Sequence, residues 1–430
     1  MPERTLWRAI GSRRLTRRAA LAAGAGLAVA SVVPAGAASR DWTSIRHPDF
    51  VRSLHDVARP GVYLNVHEML IETARSCVTD SGGWTVPSPI YGDMYVRDSF
   101  WVAMALANAD LSTAIVDLFR TEVVRNVDGR CPTFIRHGEV RPAEAQRVDE
   151  STLMYVLHSY LSARLGGRTD LASLAHAYQH ISNQIHDGMY MTHGEERFTR
   201  QAERGCFHYW ADTYRPSGRP EPRPEVFAYN QGLAAVALSC MDRMRVPNVD
   251  PAVTRKVEHV YSTMVSSADF LALPQRSGSS VMDVSALTGE ALSLYWFDRS
   301  LLGRQRVAAT LHSLNRAFHD DGSFLGFKVI ANPDGTHRPD DEFIVPISNP
   351  PGYYHNGGSW LLYDALALYA GGRQGIDEAY LLFADRLQSE VRYEAKSHEY
   401  LSTNPDQLGH GEARRAGYGW NAFAARLFSY

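Results

Sequence analysis

From about residue 60 onward, segment after segment carries apolar residues at helical spacing, and the chain shows almost none of the alternating, β-branched runs that a strand needs. That periodicity points to an all-α architecture. The spacing predicts helices over Leu64–Arg75, Ser99–Val124, Ser151–Arg164, Leu171–Asp187, Gln231–Arg245, Pro251–Leu271, Gly289–Leu302, Arg306–His319, Ser359–Tyr369, Ile376–Arg392 and Trp420–Phe428, with room for one more. Asp250-Pro251 is a cap followed by proline at the first helical position, and Gly166-Gly167 follows a helix end. No Ser/Gly-rich linker divides residues 38–430, so one domain is the simpler organisation.

A second pattern lies over the helices. Six segments rich in aromatic, acidic and amide side chains precede every other helix: Tyr95–Trp101, Val148–Thr152, Ala228–Gly232, Asp283–Glu290, Tyr354–Trp360 and Gly417–Asn421. Ordinary turns would not alternate so regularly, and the intervals suit one helical hairpin per unit. A closed ring of six hairpins would turn all six inner helices the same way. Their N-terminal ends and the polar segments would then converge on one mouth.

The formal net charge of -3 averages two unlike parts, because residues 1–37 hold six Arg against one Glu, a local +5, and leave -8 for the body. A basic start, the weakly apolar stretch Ala19–Val33 and the small-residue run Pro34–Ala38 have the order of a cleavable signal peptide over residues 1–37. Arg17-Arg18 within Thr16–Leu21 matches a twin-arginine signal, so the precursor is expected to use the Tat export machinery and to leave no membrane anchor after cleavage. An acidic body is a poor partner for nucleic acid. The cysteines Cys77, Cys131, Cys206 and Cys240 show no zinc-ligand spacing, and disulfides and burial as small hydrophobes are equally open. Neither a metal nor a cofactor is called for.

Aromatic faces next to amides and carboxylates suit a sugar, whose C–H faces stack on rings and whose hydroxyls need donors and acceptors. Trp101, Trp210, Tyr229, Trp360 and Trp420 offer the rings, whereas Trp296 reads as core. Arg97, Asp98, Asp149, Glu150, Asn230, Gln231, His355 and Asn356 offer the polar groups. Helix capping is an equal reading for Asp149 and Glu150, and a buried hydrogen-bonded pair is the alternative for His355 and Asn356. Cleaving a glycosidic bond takes two carboxyl groups, one to protonate the leaving oxygen and one to activate water. Composition alone does not select them from Asp98, Asp149, Glu150, Asp212, Glu225, Asp283, Glu290, Glu399 and Glu412.

Four motifs in order carry a resemblance. Arg97-Asp98-Ser99-Phe100-Trp101, Trp210-Ala211-Asp212-Thr213 with Tyr229-Asn230, Tyr354–Trp360, and Glu399-Tyr400 through Gly409 to Trp420-Asn421-Ala422 resemble motifs of the six-hairpin (α/α)6 glycosidases. That grouping includes trehalases, family 63 α-glucosidases and the catalytic half of glycogen-debranching enzymes. The resemblance covers about residues 90–430 and implies an (α/α)6 barrel that hydrolyses glycosides. It implies Asp212 as general acid and Glu399 as general base, with Asp98 the main rival for the acid. Inversion and an α-glucoside substrate are expected from it alone. Asn421 stands where Ser or Thr is usual, so substrate identity does not carry over.

Three other classes remain as alternatives. A polysaccharide lyase would need a basic cleft, which the acidic body disfavours; a carbohydrate-binding protein on the same ring would bind without product; a phosphorylase fits poorly with export. The chain has no G-x-S-x-G, P-loop, G-x-G-x-x-G or H-E-x-x-H motif, which leaves serine hydrolase, nucleotide-binding and zincin chemistry without their minimal parts. Asn332–Gly335 and Asp320–Gly322 read as turns before calcium loops.

Overall fold

A computed structural model describes residues 60–79, 85–89, 91–136, 150–192, 210–211, 213–214, 226–264, 281–318, 322–343, 349–392, 397–409 and 417–427. Among them are twelve helices: α1 (Pro60–Ser76), α2 (Val96–Leu106), α3 (Ala109–Arg125), α4 (Ser151–Arg164), α5 (Leu171–Asn183), α6 (Ala228–Met244), α7 (Pro251–Thr263), α8 (Thr288–Phe297), α9 (Arg304–Ser313), α10 (Leu361–Arg373), α11 (Glu378–Arg392) and α12 (Phe423–Leu427). The even-numbered helices pack side by side in a closed ring, α2 to α4 to α6 to α8 to α10 to α12 and back to α2. The odd-numbered ones lie outside them: α1 on α2 and α12, α3 on α4, α5 on α4, α7 on α6, and α9 and α11 on α10.

Residue type follows position in the ring. An inner helix has neighbours on every side, so in α4 every residue from Ser151 to Ser162 is buried, and in α10 every residue from Leu361 to Gly372. The outer helix α7 buries only Thr254, Val257 and Tyr261, one stripe at helical spacing. Caps set the outer starts. Asp170 accepts from the N–H groups of Ala172 and Ser173 before α5, and Asp250 accepts from Ala252 ahead of Pro251.

The expected twelfth helix appears where the sequence suggested one continuous helix, over Ser99–Val124. The chain turns at Ala107, which is left-handed at φ 49°, and Asn108 then caps α3 by accepting from Leu111 N–H. A non-glycine αL residue without Pro or Gly beside it leaves no conventional breaker to read. Other limits shift by a few residues, as at α8, which stops at Phe297 instead of Leu302, and α10, which runs on to Arg373. Four two-stranded antiparallel ribbons are additions to the all-α expectation: β1 (Asp93–Tyr95) with β2 (Phe134–Arg136), β3 (Ile185–His186) with β4 (Met189–Tyr190), β5 (Met282–Asp283) with β8 (Ile330–Ala331), and β6 (Arg316–Phe318) with β7 (Phe324–Phe327). They join loops and leave the helical ring intact.

Cys77, Cys131 and Cys240 carry free thiols and are buried as small hydrophobes, while Cys206 lies outside the described residues. Burial pushes the Cys77 thiol up to about 12, so it stays protonated.

Helices α6 and α8 touch backbone to backbone. A methyl group added at Gly289 would land on the Gly232 backbone, and one at Gly232 would meet the Tyr261 ring at 2.9 Å. Gly289→Ala should therefore force the two helices apart and destabilise the protein by about 1–3 kcal/mol in denaturant titration, despite the better helix propensity of alanine. An unchanged midpoint would show that the close approach is not there.

Candidate functional site

The mouth of the ring gathers the polar segments. Arg97 and Asp98 sit in the first turn of α2, Glu150 immediately before α4, Tyr229 in the first turn of α6, Tyr363 in the first turn of α10, and Trp420 in a short 3-10 turn (Gly419–Ala422) leading into α12. Arg97 Nη1 donates to Glu150 Oε1 at 2.7 Å, and its Nε lies 3.7 Å from Asp98 Oδ2. The guanidinium also stands 5.5 Å from the Trp420 ring centroid. Glu150 makes no cap hydrogen bond, so the capping alternative is set aside in favour of the ion pair.

The electrostatics follow from burial. Asp98 and Glu150 are each 1% exposed, and burial pushes both carboxyls above their ordinary range while Arg97 offsets part of the rise. The more distant Tyr418 and Tyr229 hydroxyls assist Arg97 at Asp98 and Glu150 respectively. Neither oxygen of Asp98, nor Glu150 Oε2, nor the indole N–H of Trp420 has a close hydrogen-bond partner. Buried polar atoms are normally paired, so these oxygens and the Trp420 N–H are groups that a ligand at the mouth could satisfy.

Aromatic rings line the same region. Trp210 packs on Tyr363 at 4.1 Å between centroids and on Trp360 at 5.1 Å; Trp420 lies 5.6 Å from Trp360, 5.8 Å from Tyr363 and 5.1 Å from Tyr418. Flat apolar faces beside spare acceptors suit a polyhydroxylated ring.

Two chain segments reach this cluster from outside the inner helices. Glu399 is 2% exposed. Its segment is held on both sides: His398 N–H donates to Glu390 at 2.6 Å, and Leu401 and Ser359 exchange backbone hydrogen bonds at 2.8 and 2.9 Å. Asn421 Nδ2 donates to Ser397 Oγ at 3.0 Å and to His398 O at 2.5 Å, which gives this departure from the family pattern a structural role. Tyr400 stacks 6.0 Å from Trp360, and the nearby charge of Glu399 adds to burial in raising the Tyr418 hydroxyl. Asp212 lies outside the described residues, as do Asp149, Glu225 and Glu412. Its neighbours are pinned at the site: Trp210 by the aromatic cluster, and Thr213 by hydrogen bonds to His355 Nδ1 at 2.7 Å and Asn349 Oδ1 at 3.1 Å.

Several expected ligands are committed elsewhere. Gln231 accepts from Tyr190 N–H and donates to Gly188 O and Val257 O, so it stitches α6 to its surroundings. The Asn356 amide donates to Arg338 O and Asn349 O, and His355 is bonded to Thr213, which favours the buried, hydrogen-bonded reading of that pair. Trp101 packs on Phe100 and Phe423 in the barrel core. Asn230 is fully buried at the start of α6. Glu290 takes four donors, from Ser300, Leu301, Leu302 and Gln374, and is structural. Conversely, Tyr363 and Tyr418 join the site without being among the expected ligands. Tyr363 follows Trp360 at i+3, the spacing that puts two residues on one helix face, and that was the available signal. Among the described residues no cluster of His, Cys, Asp or Glu could hold a metal ion.

Solved structures share this architecture. A family 63 mannosylglycerate hydrolase from Thermus thermophilus, in complex with Tris and D-glycerate, is similar at a TM-score of 0.58 and 14% identity, over 84% of this chain and 99% of its own. A glycosidase is similar at 0.56 and 14%, over 85% and 96%, and a glycosidase variant in complex with glucose at 0.54 and 15%, over the same shares. No protein-family profile matches the sequence, and neither does any curated protein. The chain has the (α/α)6 fold of these glycosidases.

Asp283 gives this region a measurable titration. Its Oδ1 caps the 3-10 turn Val284–Leu287 by accepting from Ser285 N–H and Oγ, its Oδ2 has no partner, and burial pushes its pKa up to about 7. A carboxyl protonated in the fold but ionised in the unfolded chain costs stability as pH rises from 3.8 towards 7. Asp283→Asn keeps the cap acceptor and removes that cost. Its gain in Tm should grow between pH 4 and pH 7 and level off above; a gain that does not change with pH would mean Asp283 is ionised in the fold.

Proposed function

We propose that this chain is an exported glycoside hydrolase that cleaves by inversion, with Asp212 as general acid and Glu399 as general base, on a substrate such as an α-glucoside. The observation that carries the reading is the convergence at one mouth of a buried aromatic wall, the Arg97–Asp98–Glu150 cluster with spare acceptors, and the buried segment bearing Glu399. The similar solved structures support it, since one is a hydrolase of a glycoside and another holds glucose. Arg17-Arg18 at the head of the apolar stretch supports Tat-dependent export of the precursor.

In this mechanism the sugar's apolar face lies on the Trp210, Trp360 and Trp420 wall while Asp98, Glu150 and Arg97 hold its hydroxyls. Asp212 gives its proton to the leaving glycosidic oxygen. Glu399 takes a proton from a water that attacks the anomeric carbon from the opposite side, and one displacement inverts the centre. Such a water needs a carboxyl separation of about 6.5–9.5 Å.

Testing starts with a panel of oligosaccharides and small glycosides, following the first-formed anomer by NMR. An α-linked substrate should release the β anomer first; release of the α anomer would overturn inversion, and binding without product would make this a carbohydrate-binding protein. Asp212→Asn and Glu399→Gln should each lower kcat by about 100-fold or more with folding retained. Near-normal turnover in both variants would sink the assignment.

A further inference from the structure

A buried ionic network holds the segment that carries Glu399. Arg386, on the outer helix α11, is completely buried; its Nε donates to Asp364 Oδ2 on the inner helix α10 at 2.8 Å, and its Nη1 donates to Glu390 Oε2 one turn along α11, also at 2.8 Å. The other Glu390 oxygen accepts the backbone N–H of His398 at 2.6 Å, one residue before Glu399. Asp364 accepts from Ser359 Oγ at 2.8 Å and from Phe327 N–H at 3.0 Å, and Ser359 bridges to Leu401, two residues after Glu399. One guanidinium therefore braces the Glu399 backbone on both sides.

We propose that Glu390 is a positioning residue for Glu399, its carboxylate fixing the His398 N–H with one oxygen while Arg386 fixes the other. The proposal rests on the reading of Glu399 as the base. A buried ion pair is poor evidence for stability, because a well-packed apolar replacement is often neutral or stabilising. What this one supplies is a fixed direction for the next side chain: neutral packing would leave His398 N–H unpaired and its peptide free to rotate. Arg386 and His398 outweigh the burial that would otherwise raise Glu390 and hold it below the ordinary carboxyl range, so it serves as a charged acceptor throughout the neutral range.

The test is a double-mutant cycle on Glu390→Gln and Glu399→Gln, using an aryl glycoside of the sugar identified in the anomer assay. Glu390→Gln alone should lower kcat by about 10–100-fold, as expected for a misaimed group, and leave KM within about 3-fold. In the Glu399→Gln background the same change should lower kcat no further, because the group it aims is already gone. An equal fold-loss in both backgrounds, or a loss expressed mainly in KM, would overturn the positioning role and leave the base assignment standing. Wild-type kcat in Glu399→Gln would overturn both. If Glu390→Gln does not fold by circular dichroism, Glu390→Asp, which keeps the charge but is one methylene shorter, is put through the same cycle and read by the same criteria.

Discussion

Everything at the mouth depends on six inner helices pointing the same way within a closed ring. Each helix start leaves backbone N–H groups without partners and a positive dipole end, and the ring collects these ends in one place. That is an unusually favourable setting for buried carboxylates. Asp98 lies in the first turn of α2 and Glu150 immediately before α4, so the helix ends add to the one guanidinium they share in offsetting part of the cost of burying them.

The ring itself was legible because a helix surrounded by other helices is apolar all round, while an outer helix shows one stripe, and the two kinds alternate along this chain. The turn at Ala107 was not legible, because a left-handed alanine held by its N–H to Ala103 O carries no sequence mark. The site was legible in part for the same physical reasons. Arg97, Asp98, Glu150, Trp210, Trp360, Trp420 and Glu399 belong to segments whose polarity conflicts with their place beside core helices, and that conflict is visible in sequence. Gln231 and Asn356 carry the same conflict, but they resolve it with backbone groups over forty residues away in one case and at a neighbouring loop in the other, which only the folded chain reveals.

Buried charge is used here in two ways, and the hydrogen-bond inventory separates them. Glu290 and Asp364 have donors on both carboxylate oxygens, drawn from several elements, and behave as fasteners. Asp98 and Glu150 share one guanidinium and keep acceptor atoms in reserve. An unpaired buried acceptor costs about 1–3 kcal/mol, a cost that a ligand with hydroxyl donors at the mouth would offset.

The same inventory bears on which ligand the mouth would accept. Arg97 already faces two carboxylates, and Glu399 is buried close enough for its charge to raise the Tyr418 hydroxyl. A uronate would bring a further negative charge beside two carboxylates, where Arg97 is already engaged by both. A neutral sugar brings donors for the spare carboxylate oxygens and a C–H face for the tryptophans, and adds no charge. In the proposed reaction the positive character that develops at the anomeric carbon would then form beside carboxylates that are already in place, which favours the transition state over the neutral ground state.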